Sequence, residues 1–309
     1  MNRREFLAGA VASAGLAGCV GDKCACAGGA CGKGGKILFG ACRPFADAKL
    51  MKSIGYDFIE RDVGSSFIPE EGDEAWKKQK EMILSQALPL RSCNGFLPGK
   101  FRITGAEANW DPILKYAETA CRRASEVGTK TIVFGSGGAR NVPAVWLAGG
   151  KREWPKGFGI EKGRDQYAGF CAELVKRIEG CSVTVVIEPL CPDESNIINY
   201  VWQGMQIVDE VKSPRLQQLA DLYHMMAGLE PAESLLKAGS PLRHCHIASY
   251  KTRQFPGSDP ATVDRFRPYF DALKAIGYDG GVSCECAWGD KNDLAKNLET
   301  ALKTMKGLV

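Results

Sequence analysis

The chain contains only three histidines, His224, His244 and His246, and all three lie at or near the ends of predicted strands. His224 follows Asp221 in an Asp-Leu-Tyr-His stretch, and the other two form a His-Cys-His triplet. Because side chains two residues apart on a strand share a face, His244 and His246 point to the same side. Imidazole and carboxylate groups are common metal ligands, so both stretches are candidates for a metal site.

Two further acidic residues end predicted strands, Glu188 in Val-Ile-Glu-Pro-Leu and Glu285 in Cys-Glu-Cys. Each motif by itself has an ordinary structural explanation, such as a turn for the Glu-Pro pair or a surface ion pair for Asp-Leu-Tyr-His. Four such motifs on four successive strands are much harder to explain by packing, because the strand ends of a parallel barrel converge on one face. We therefore predict one metal site built from these four strands.

Carboxylates with one imidazole form a hard, oxygen-rich ligand set, which suits Mn²⁺ or Mg²⁺ better than structural zinc. Such a metal can hold two neighbouring oxygens of an α-hydroxyketone and stabilise the enediolate that forms when the α-proton leaves. Glu188 and Glu285, on strands that face each other across the barrel, are predicted to remove and return that proton from opposite faces. The destination of the proton decides between epimerisation and isomerisation, and loss of a β-hydroxyl would make the same site a dehydratase or lyase.

The elements that position these side chains alternate along the chain, with short apolar runs separated by longer amphipathic stretches. That alternation is typical of a parallel sheet covered by helices. Strands are predicted at 37–42, 56–60, 90–96, 131–134, 183–187, 216–222, 242–247 and 281–286. Helices are predicted at 46–54, 73–87, 111–127, 163–178, 201–211, 231–238, 263–276 and 291–305. Eight strand–helix units predict a single (β/α)8 TIM barrel over residues 37–309, and an open sheet is disfavoured because the first strand lacks a Gly-x-Gly-x-x-Gly turn.

The residues before the barrel are predicted to direct export. Met-Asn-Arg-Arg-Glu-Phe-Leu at the N-terminus resembles a twin-arginine signal, and Leu-Ala-Gly-Cys at 16–19 resembles the lipobox of bacterial lipoproteins. We expect a signal peptide over residues 1–18, lipidation of Cys19 and a flexible tether over residues 19–36. The protein would then be periplasmic or held in the cell envelope, in contact with the membrane through its lipid only.

Composition excludes several other classes of protein. The net charge is +4, from 40 basic and 36 acidic residues, and no long basic run indicates nucleic-acid binding. No apolar run is long enough to span a bilayer as a mature helix. Of the thirteen cysteines, Cys19 and three others precede the barrel, and nine are scattered over predicted strands and helices. Most of these nine are expected to pack in the core as small apolar residues.

From Lys36 onward the chain resembles the xylose-isomerase-like barrel family, which includes ketose 3-epimerases, hydroxypyruvate isomerases and inosose dehydratases. The Ile-Glu-Pro-Leu stretch at 187–190 is similar to the strand-five motif of the epimerase-like branch, and Asp221 lies 33 positions after its glutamate, which is the usual spacing in the family. The resemblance implies four metal ligands, of which the two glutamates are also catalytic. These ligands are Glu188, Asp221, His246 and Glu285.

The same resemblance implies contacts with the substrate. Glu194 matches an acidic residue that helps to position the catalytic glutamate. His224 matches a histidine that touches substrate oxygens, and Arg253 lies near the place of a substrate-binding arginine. In the epimerase-like branch Asn-Arg usually follows the Glu-Pro-Leu motif, whereas this chain has Cys-Pro at 191–192, a difference that bears on the identity of the sugar.

Three more residues are candidates for the substrate pocket. Glu60 ends the second predicted strand and either lines the pocket or pairs with its neighbours. Asn94 begins a stretch that resembles uncharacterised family members, and His244 shares a strand face with His246. The Gly-Ser-Gly-Gly at 135–138 could cradle a phosphate, but no Lys-Ser/Thr follows it, so a plain turn near the pocket is favoured.

We therefore expect an enzyme, a divalent-metal-dependent sugar isomerase or epimerase acting on a ketose or related polyhydroxy ketone. One alternative is a keto-sugar or inosose dehydratase or lyase on the same metal site. A second is a non-catalytic lipoprotein that binds sugar through the metal, although binding alone requires no second acid–base group. A nuclease with several metal ions would need more imidazoles than three. The partners expected are a small sugar and, as assemblies that the sequence leaves open, a homodimer or homotetramer.

Overall fold

Eight parallel strands close into a barrel in the computed structural model, which describes residues 36–146, 152–155 and 158–309. Neighbouring strands in the chain are neighbours in the barrel, and the last strand pairs with the first. The predicted (β/α)8 barrel is therefore confirmed. The strands are β1 (Leu38–Cys42), β2 (Phe58–Asp62), β3 (Leu90–Asn94), β4 (Thr131–Phe134), β5 (Thr184–Ile187), β6 (Leu216–Asp221), β7 (Leu242–Ile247) and β8 (Gly281–Cys284).

A helix follows each strand. These helices are α1 (Ala48–Ile54), α2 (Asp73–Leu84), α3 (Trp110–Glu126), α4 (Ile160–Arg177), α5 (Val201–Val211), α6 (Glu233–Ala238), α7 (Arg267–Ala275) and α8 (Leu294–Lys306). Short helical segments add to the loops at Phe45–Asp47, Val63–Phe67, Gly137–Arg140, Leu222–Ala227, Pro260–Phe266 and Lys291–Asp293. A small antiparallel sheet pairs Val145–Trp146 with Arg152–Glu153 in the loop between β4 and α4.

Several predicted boundaries differ from the structure by a few residues. The second strand, predicted at 56–60, is Phe58–Asp62, so Glu60 lies within it and not at its end. Two other differences have a local cause. The sixth strand is predicted to reach residue 222, but β6 ends at Asp221, whose side chain accepts hydrogen bonds from the next backbone amides and begins a helical segment. The predicted helix at 263–276 is divided into a 3₁₀ segment and α7. Pro268 lies in the first turn of α7, where its missing N–H breaks no hydrogen bond within the helix.

The lower end of the barrel interior is filled by the side chain of Phe58, which is fully buried. Two glycines make room for its ring. A Cβ at Gly40 would lie 2.2 Å from the ring, and a Cβ at Gly281 would lie 2.9 Å from it. Most other buried apolar side chains form one continuous core. Since the lower interior is packed, polar chemistry is left to the upper layers of the barrel and to its mouth.

All nine cysteines in the described part of the chain are free thiols, and six of them are buried. The expectation that most of them pack in the core is confirmed. Cys284, for example, is fully buried, with its Sγ 3.6 Å from Sδ of Met305 in α8. Among the described residues, no helix has both the length and the apolar character that crossing a membrane requires. The predicted signal peptide, Cys19 and all of the tether except Lys36 lie outside the described residues.

Candidate metal and proton-transfer site

Four side chains from four adjacent strands converge at the mouth of the barrel. Strands β5 and β8 are therefore separated by two strands and do not face each other across the barrel, which corrects the prediction. Glu188 directly follows β5, Asp221 ends β6, His246 lies in β7, and Glu285 directly follows β8. Each offers one oxygen or nitrogen, and these four atoms all lie within 4.8 Å of one another. The four residues that the sequence predicts as metal ligands are therefore brought together. The register of the strands brings two of these side chains together, since Asp221 of β6 is paired with His246 of β7.

His246 stands at the centre of the cluster and is fully buried. Its Nδ1 lies 2.8 Å from Oε1 of Glu188 and 3.4 Å from Oε2 of Glu285. Its Nε2 lies 2.9 Å from Oε1 of Glu60, on the other side of the ring. The atom that faces the carboxylates of the mouth is therefore Nδ1.

Asp221 is held by the helical segment that it caps. Its Oδ1 accepts hydrogen bonds from the backbone amides of Tyr223, at 2.7 Å, and His224, at 3.4 Å. Aspartate commonly caps a helix N-terminus in this way, and these hydrogen bonds fix the carboxylate through only one of its two oxygens. The carboxylate of Asp221 thus caps the helical segment Leu222–Ala227 and also contributes an oxygen to the cluster.

Glu285 is held by neighbours on both sides. Nδ2 of Asn94, the last residue of β3, donates a hydrogen bond of 2.6 Å to its Oε1. Nη2 of Arg253 lies 3.6 Å from its Oε2. Burial acts to raise the pKa of Glu285, but His246 and the Asn94 hydrogen bond outweigh burial and lower that pKa to about 2. Asn94, predicted as a substrate contact, is thus placed in direct contact with a catalytic candidate.

The charges of the cluster favour a cation. Burial, together with the negative charges of Glu285 and Asp221, raises the pKa of Glu188 although His246 opposes the shift. Burial acts to lower the pKa of His246, yet the surrounding carboxylates raise it well above its ordinary value. The positive charge of His246 with a proton on Nδ1 therefore offsets the repulsion between the carboxylates around it. A divalent ion held by three carboxylates and one imidazole fits this donor set and removes the same repulsion.

His224 presents a hydrogen-bond donor for which no group in the described part of the chain is an acceptor. Its Nδ1 accepts a 3.2 Å hydrogen bond from the backbone N–H of Cys191, so the ring proton is on Nε2. That Nε2 is buried and, among the described residues, has no hydrogen-bond partner. It lies 3.6 Å from Oδ2 of Asp221 and 3.8 Å from Oε2 of Glu194, beside the cluster. The arrangement suits a histidine that donates to an oxygen of a bound ligand.

Glu194 and Arg253 form an ion pair at the rim of the mouth. The Arg253 guanidinium also lies over the ring of Tyr223, 4.8 Å from its centroid. Both charged side chains are about one-third exposed, so a ligand that enters the mouth can reach them. The predicted neighbourhood of Glu194, His224 and Arg253 is present in the structure.

Glu60 and His244 are placed differently from the prediction that they bind substrate. Both are buried beneath the mouth, and Nε2 of His244 lies 2.9 Å from Oε2 of Glu60. Burial acts to raise the pKa of Glu60, but His246 and His244 outweigh it and hold that pKa below its usual range. Because both oxygens of Glu60 are bonded to imidazoles and the residue is fully buried beneath the mouth, this carboxylate is not exposed to a sugar in the mouth.

Comparison with known proteins identifies the family of this chain. Residues 48–308 match the family described as the xylose isomerase-like TIM barrel. The chain belongs to this family. A probable ketose 3-epimerase from Synechocystis sp. is 33% identical over 110 residues, which are 35% of this chain and 37% of that protein. An L-ribulose 3-epimerase from Methylomonas sp. is 28% identical over 234 residues, 75% of this chain and 74% of that protein.

The fold of this xylose isomerase-like barrel is also found in solved structures. The apo crystal structure of 3-keto-D-glucoside 4-epimerase from E. coli superposes with a TM-score of 0.71 at 20% identity, covering 88% of this chain and 100% of that one. This likeness establishes the shared fold. Among the curated relatives, the matched segment spans little more than a third of the Synechocystis protein and about three-quarters of the Methylomonas protein.

Two features of this xylose isomerase-like site were not predicted from sequence, and both lie after β4. A Cβ at Gly135 would lie 2.2 Å from Oε2 of Glu188, and a Cβ at Gly137 would lie 2.6 Å from the backbone oxygen of Glu194. The Gly-Ser-Gly-Gly stretch, for which a plain turn was favoured, lies beside the pocket as expected, but its last two glycines begin the helical segment Gly137–Arg140. Its glycines let the loop after β4 pack against the segment that carries Glu188 and Glu194.

The second feature is Arg140, whose guanidinium is fully buried. It donates to a set of oxygens on the β4 and β5 loops: the backbone oxygens of Glu188 (2.7 Å), Ile198 (3.1 Å) and Phe134 (3.3 Å), and Oγ of Ser195 (3.2 Å). The buried guanidinium of Arg140 therefore holds in place, through hydrogen bonds, the backbone segment that carries Glu188. An arginine in a Gly-Ala-Arg stretch has no sequence signal for this role, because its partners are mostly backbone oxygens and most of them lie about 50 residues or more away in the chain.

Proposed function

We propose that this chain is a divalent-metal-dependent sugar epimerase or isomerase that moves a proton on a ketose or related polyhydroxy ketone. The observation that carries the proposal is the approach of two glutamates, from β5 and β8, to the same atom, Nδ1 of His246. Two carboxylates at one point give an acid–base pair as well as a metal site. The ketose 3-epimerase names of the curated relatives support the same reaction class.

The cation is proposed to be Mn²⁺ or Mg²⁺, because three carboxylates and one imidazole form an oxygen-rich set. When bound, the ion would supply positive charge that stabilises negative charge on two neighbouring substrate oxygens. Glu188, Asp221, His246 and Glu285 would hold it.

Proton transfer and substrate binding are assigned to protein side chains. Glu188 and Glu285 take the α-proton from one face of the substrate and return a proton to the other, which inverts the carbon. Nε2–H of His224 donates to a substrate oxygen, since no described protein group uses it. Arg253, held by Glu194, binds a second oxygen at the rim. Asn94 keeps the carboxylate of Glu285 oriented.

The test replaces each catalytic glutamate by glutamine, which retains a carbonyl oxygen but cannot take a proton. With Mn²⁺ bound, we expect Glu188→Gln and Glu285→Gln each to lower turnover by about 10²–10⁴-fold. The reaction is followed in D₂O with a panel of free ketoses, keto-glycosides and inososes, and deuterium enters the substrate carbon. One of the two variants is expected to exchange the α-proton without epimerising.

The control is Glu230→Gln, which neutralises a carboxylate that is as buried as Glu188 but is hydrogen-bonded to the backbone amide of Val201 at the start of α5. It should keep near-normal turnover. Near-normal turnover in both active-site variants with metal bound would refute the two-carboxylate mechanism and favour a sugar-binding role. Loss of water from the substrate would identify the alternative, a keto-sugar or inosose dehydratase or lyase.

Keto-glycosides belong in the panel for a structural reason. A cavity of about 190 Å³ lies beside Glu194, lined by Asn141, Val142, Asp193 and Asn196 among others. Because Glu194 also belongs to the rim of the site, a substituent on the sugar could extend into this cavity. A preference for substituted keto-sugars over free ketoses would be seen as a higher kcat/KM.

We also propose that the enzyme is exported by the twin-arginine route and anchored in the cell envelope through lipid on Cys19. The Arg-Arg pair at 3–4 and the Leu-Ala-Gly-Cys at 16–19 support this location. Whether the enzyme forms the homodimer or homotetramer that the sequence leaves open can be measured by light scattering.

A further inference from the structure

Glu60 forms the centre of a buried His–Glu–His chain inside the barrel. Its Oε1 lies 2.9 Å from Nε2 of His246, and its Oε2 lies 2.9 Å from Nε2 of His244. At most 1% of each of the three residues is exposed. Phe58 packs beneath this chain, with its ring 6.1 Å from that of His244. The metal cluster lies above it, on the Nδ1 side of His246.

The chemistry of a carboxylate dictates where the imidazole protons stand. An ionised carboxylate only accepts hydrogen bonds, so both Nε2 atoms that contact Glu60 must carry protons. His246 then uses Nε2–H for Glu60 and turns Nδ1 towards Glu188 and Glu285. A ring of His246 flipped by 180° would place carbon atoms against these carboxylates and lose its bonds on both sides.

We propose that Glu60 is a positioning residue that makes Nδ1 of His246 the atom presented to a divalent cation, and that His244 holds the second oxygen of Glu60 in place. This inference rests on the proposed function, because the cation belongs to it. Residues that orient a metal-ligating histidine in this way typically change metal affinity by about 10–100-fold when removed. His244 makes its hydrogen bond to Glu60, and its ring packs edge-on against that of His246, with the centroids 5.1 Å apart.

The test uses the full-length protein with Glu60→Leu, Glu60→Gln and the control Glu230→Gln. Two quantities are measured at one fixed pH. The first is the set of slowly exchanging imidazole N–H protons seen by NMR, in metal-free and Mg²⁺-loaded protein. The second is the dissociation constant for Mn²⁺, obtained by electron paramagnetic resonance. The spectrum is simple because the chain has three histidines, and the Nε2 of the third, His224, has no described partner to protect its proton.

In Mg²⁺-loaded protein, where the ion would replace the proton on Nδ1 of His246, we expect the wild type to show two protected N–H protons and Glu60→Leu to show none. Metal-free protein should show one more in both, the proton on Nδ1 of His246 that contacts Glu188. Glu60→Gln should show one, because an amide accepts through its oxygen but turns an N–H towards the other imidazole. Glu60→Leu should weaken Mn²⁺ binding by about 10–100-fold, and the control should leave both measurements unchanged. If Glu60→Leu does not fold, the number of protected imidazole N–H protons in Glu60→Gln tests the inference instead.

Three results overturn the inference: no protected imidazole protons in the wild type, both of them unchanged in Glu60→Gln, or wild-type Mn²⁺ affinity in Glu60→Leu. Failure of the proposed function looks different. In that case the wild type itself binds no Mn²⁺ or turns over no sugar. If it binds Mn²⁺ and turns over sugar while Glu60→Leu binds Mn²⁺ equally well, the positioning role alone is refuted.

Discussion

The carboxylate of Glu188 lies directly against the backbone of Gly135, and a single methyl group there should disturb the site. In Gly135→Ala the new Cβ would lie 2.2 Å from Oε2 of Glu188 and 3.5 Å from Cδ2 of Leu190. Ordinary contact begins at 3.4 Å, so the carboxylate must retreat by about 1 Å. A misplacement of 1 Å can lower the rate by about 10²-fold. Overpacking of this kind typically costs about 1–3 kcal/mol of stability.

The assay measures kcat with saturating Mn²⁺, the Mn²⁺ dissociation constant and the free energy of unfolding. We expect kcat to fall by about 10²-fold and Mn²⁺ binding to weaken, in a protein that still folds. Gly99→Ala is the matched control, because a Cβ added at Gly99 meets no atom within 4 Å. A Gly135→Ala protein with wild-type kcat and wild-type Mn²⁺ affinity would show that Glu188 is not held where the structure places it, and the reasoning would fail.

Arg253→Ala should raise KM by about tenfold or more, the value of a hydrogen bond to a charged group, while Mn²⁺ affinity changes little; an unchanged KM would contradict the substrate role. Mn²⁺ must displace a proton from His246, whose pKa the surrounding carboxylates raise well above its ordinary value. Mn²⁺ affinity should therefore fall about tenfold for each pH unit of acidification near neutrality, and a flat profile would argue against His246 as a ligand. Cys19→Ser should move the protein from the membrane fraction to the soluble fraction, and unchanged membrane association would exclude the lipid anchor.

The strand-end motifs predicted most of the cluster because their geometry follows from topology. Once eight strand–helix units close into a parallel barrel, the residues that end successive strands must share one face. Glu188, Asp221, His246 and Glu285 could therefore be placed together from the sequence. The cap at Asp221 was not anticipated as the end of β6, because the predicted strand continued into the apolar Leu222.

The roles of the buried polar residues could not be predicted in the same way. Alternation places His244 and His246 on one strand face but does not say how deep each lies, so His244 was assigned to the substrate. Glu60 likewise could have lined the pocket. In the closed barrel, Glu60 and His244 lie in the layer beneath the mouth and bond to each other.

Residue types and their order along the chain were enough to determine the barrel, its catalytic face and a carboxylate–imidazole site, because strand direction and side-chain alternation are local properties. Tertiary structure alone decided which nitrogen of His224 and of His246 faces the site. Nε2 of His224 has no partner among the described residues because the backbone of Cys191 takes Nδ1, and Nδ1 of His246 faces the mouth because Glu60 takes Nε2. The partner atoms come from segments far apart in sequence, and only closure of the barrel brings them within hydrogen-bonding distance.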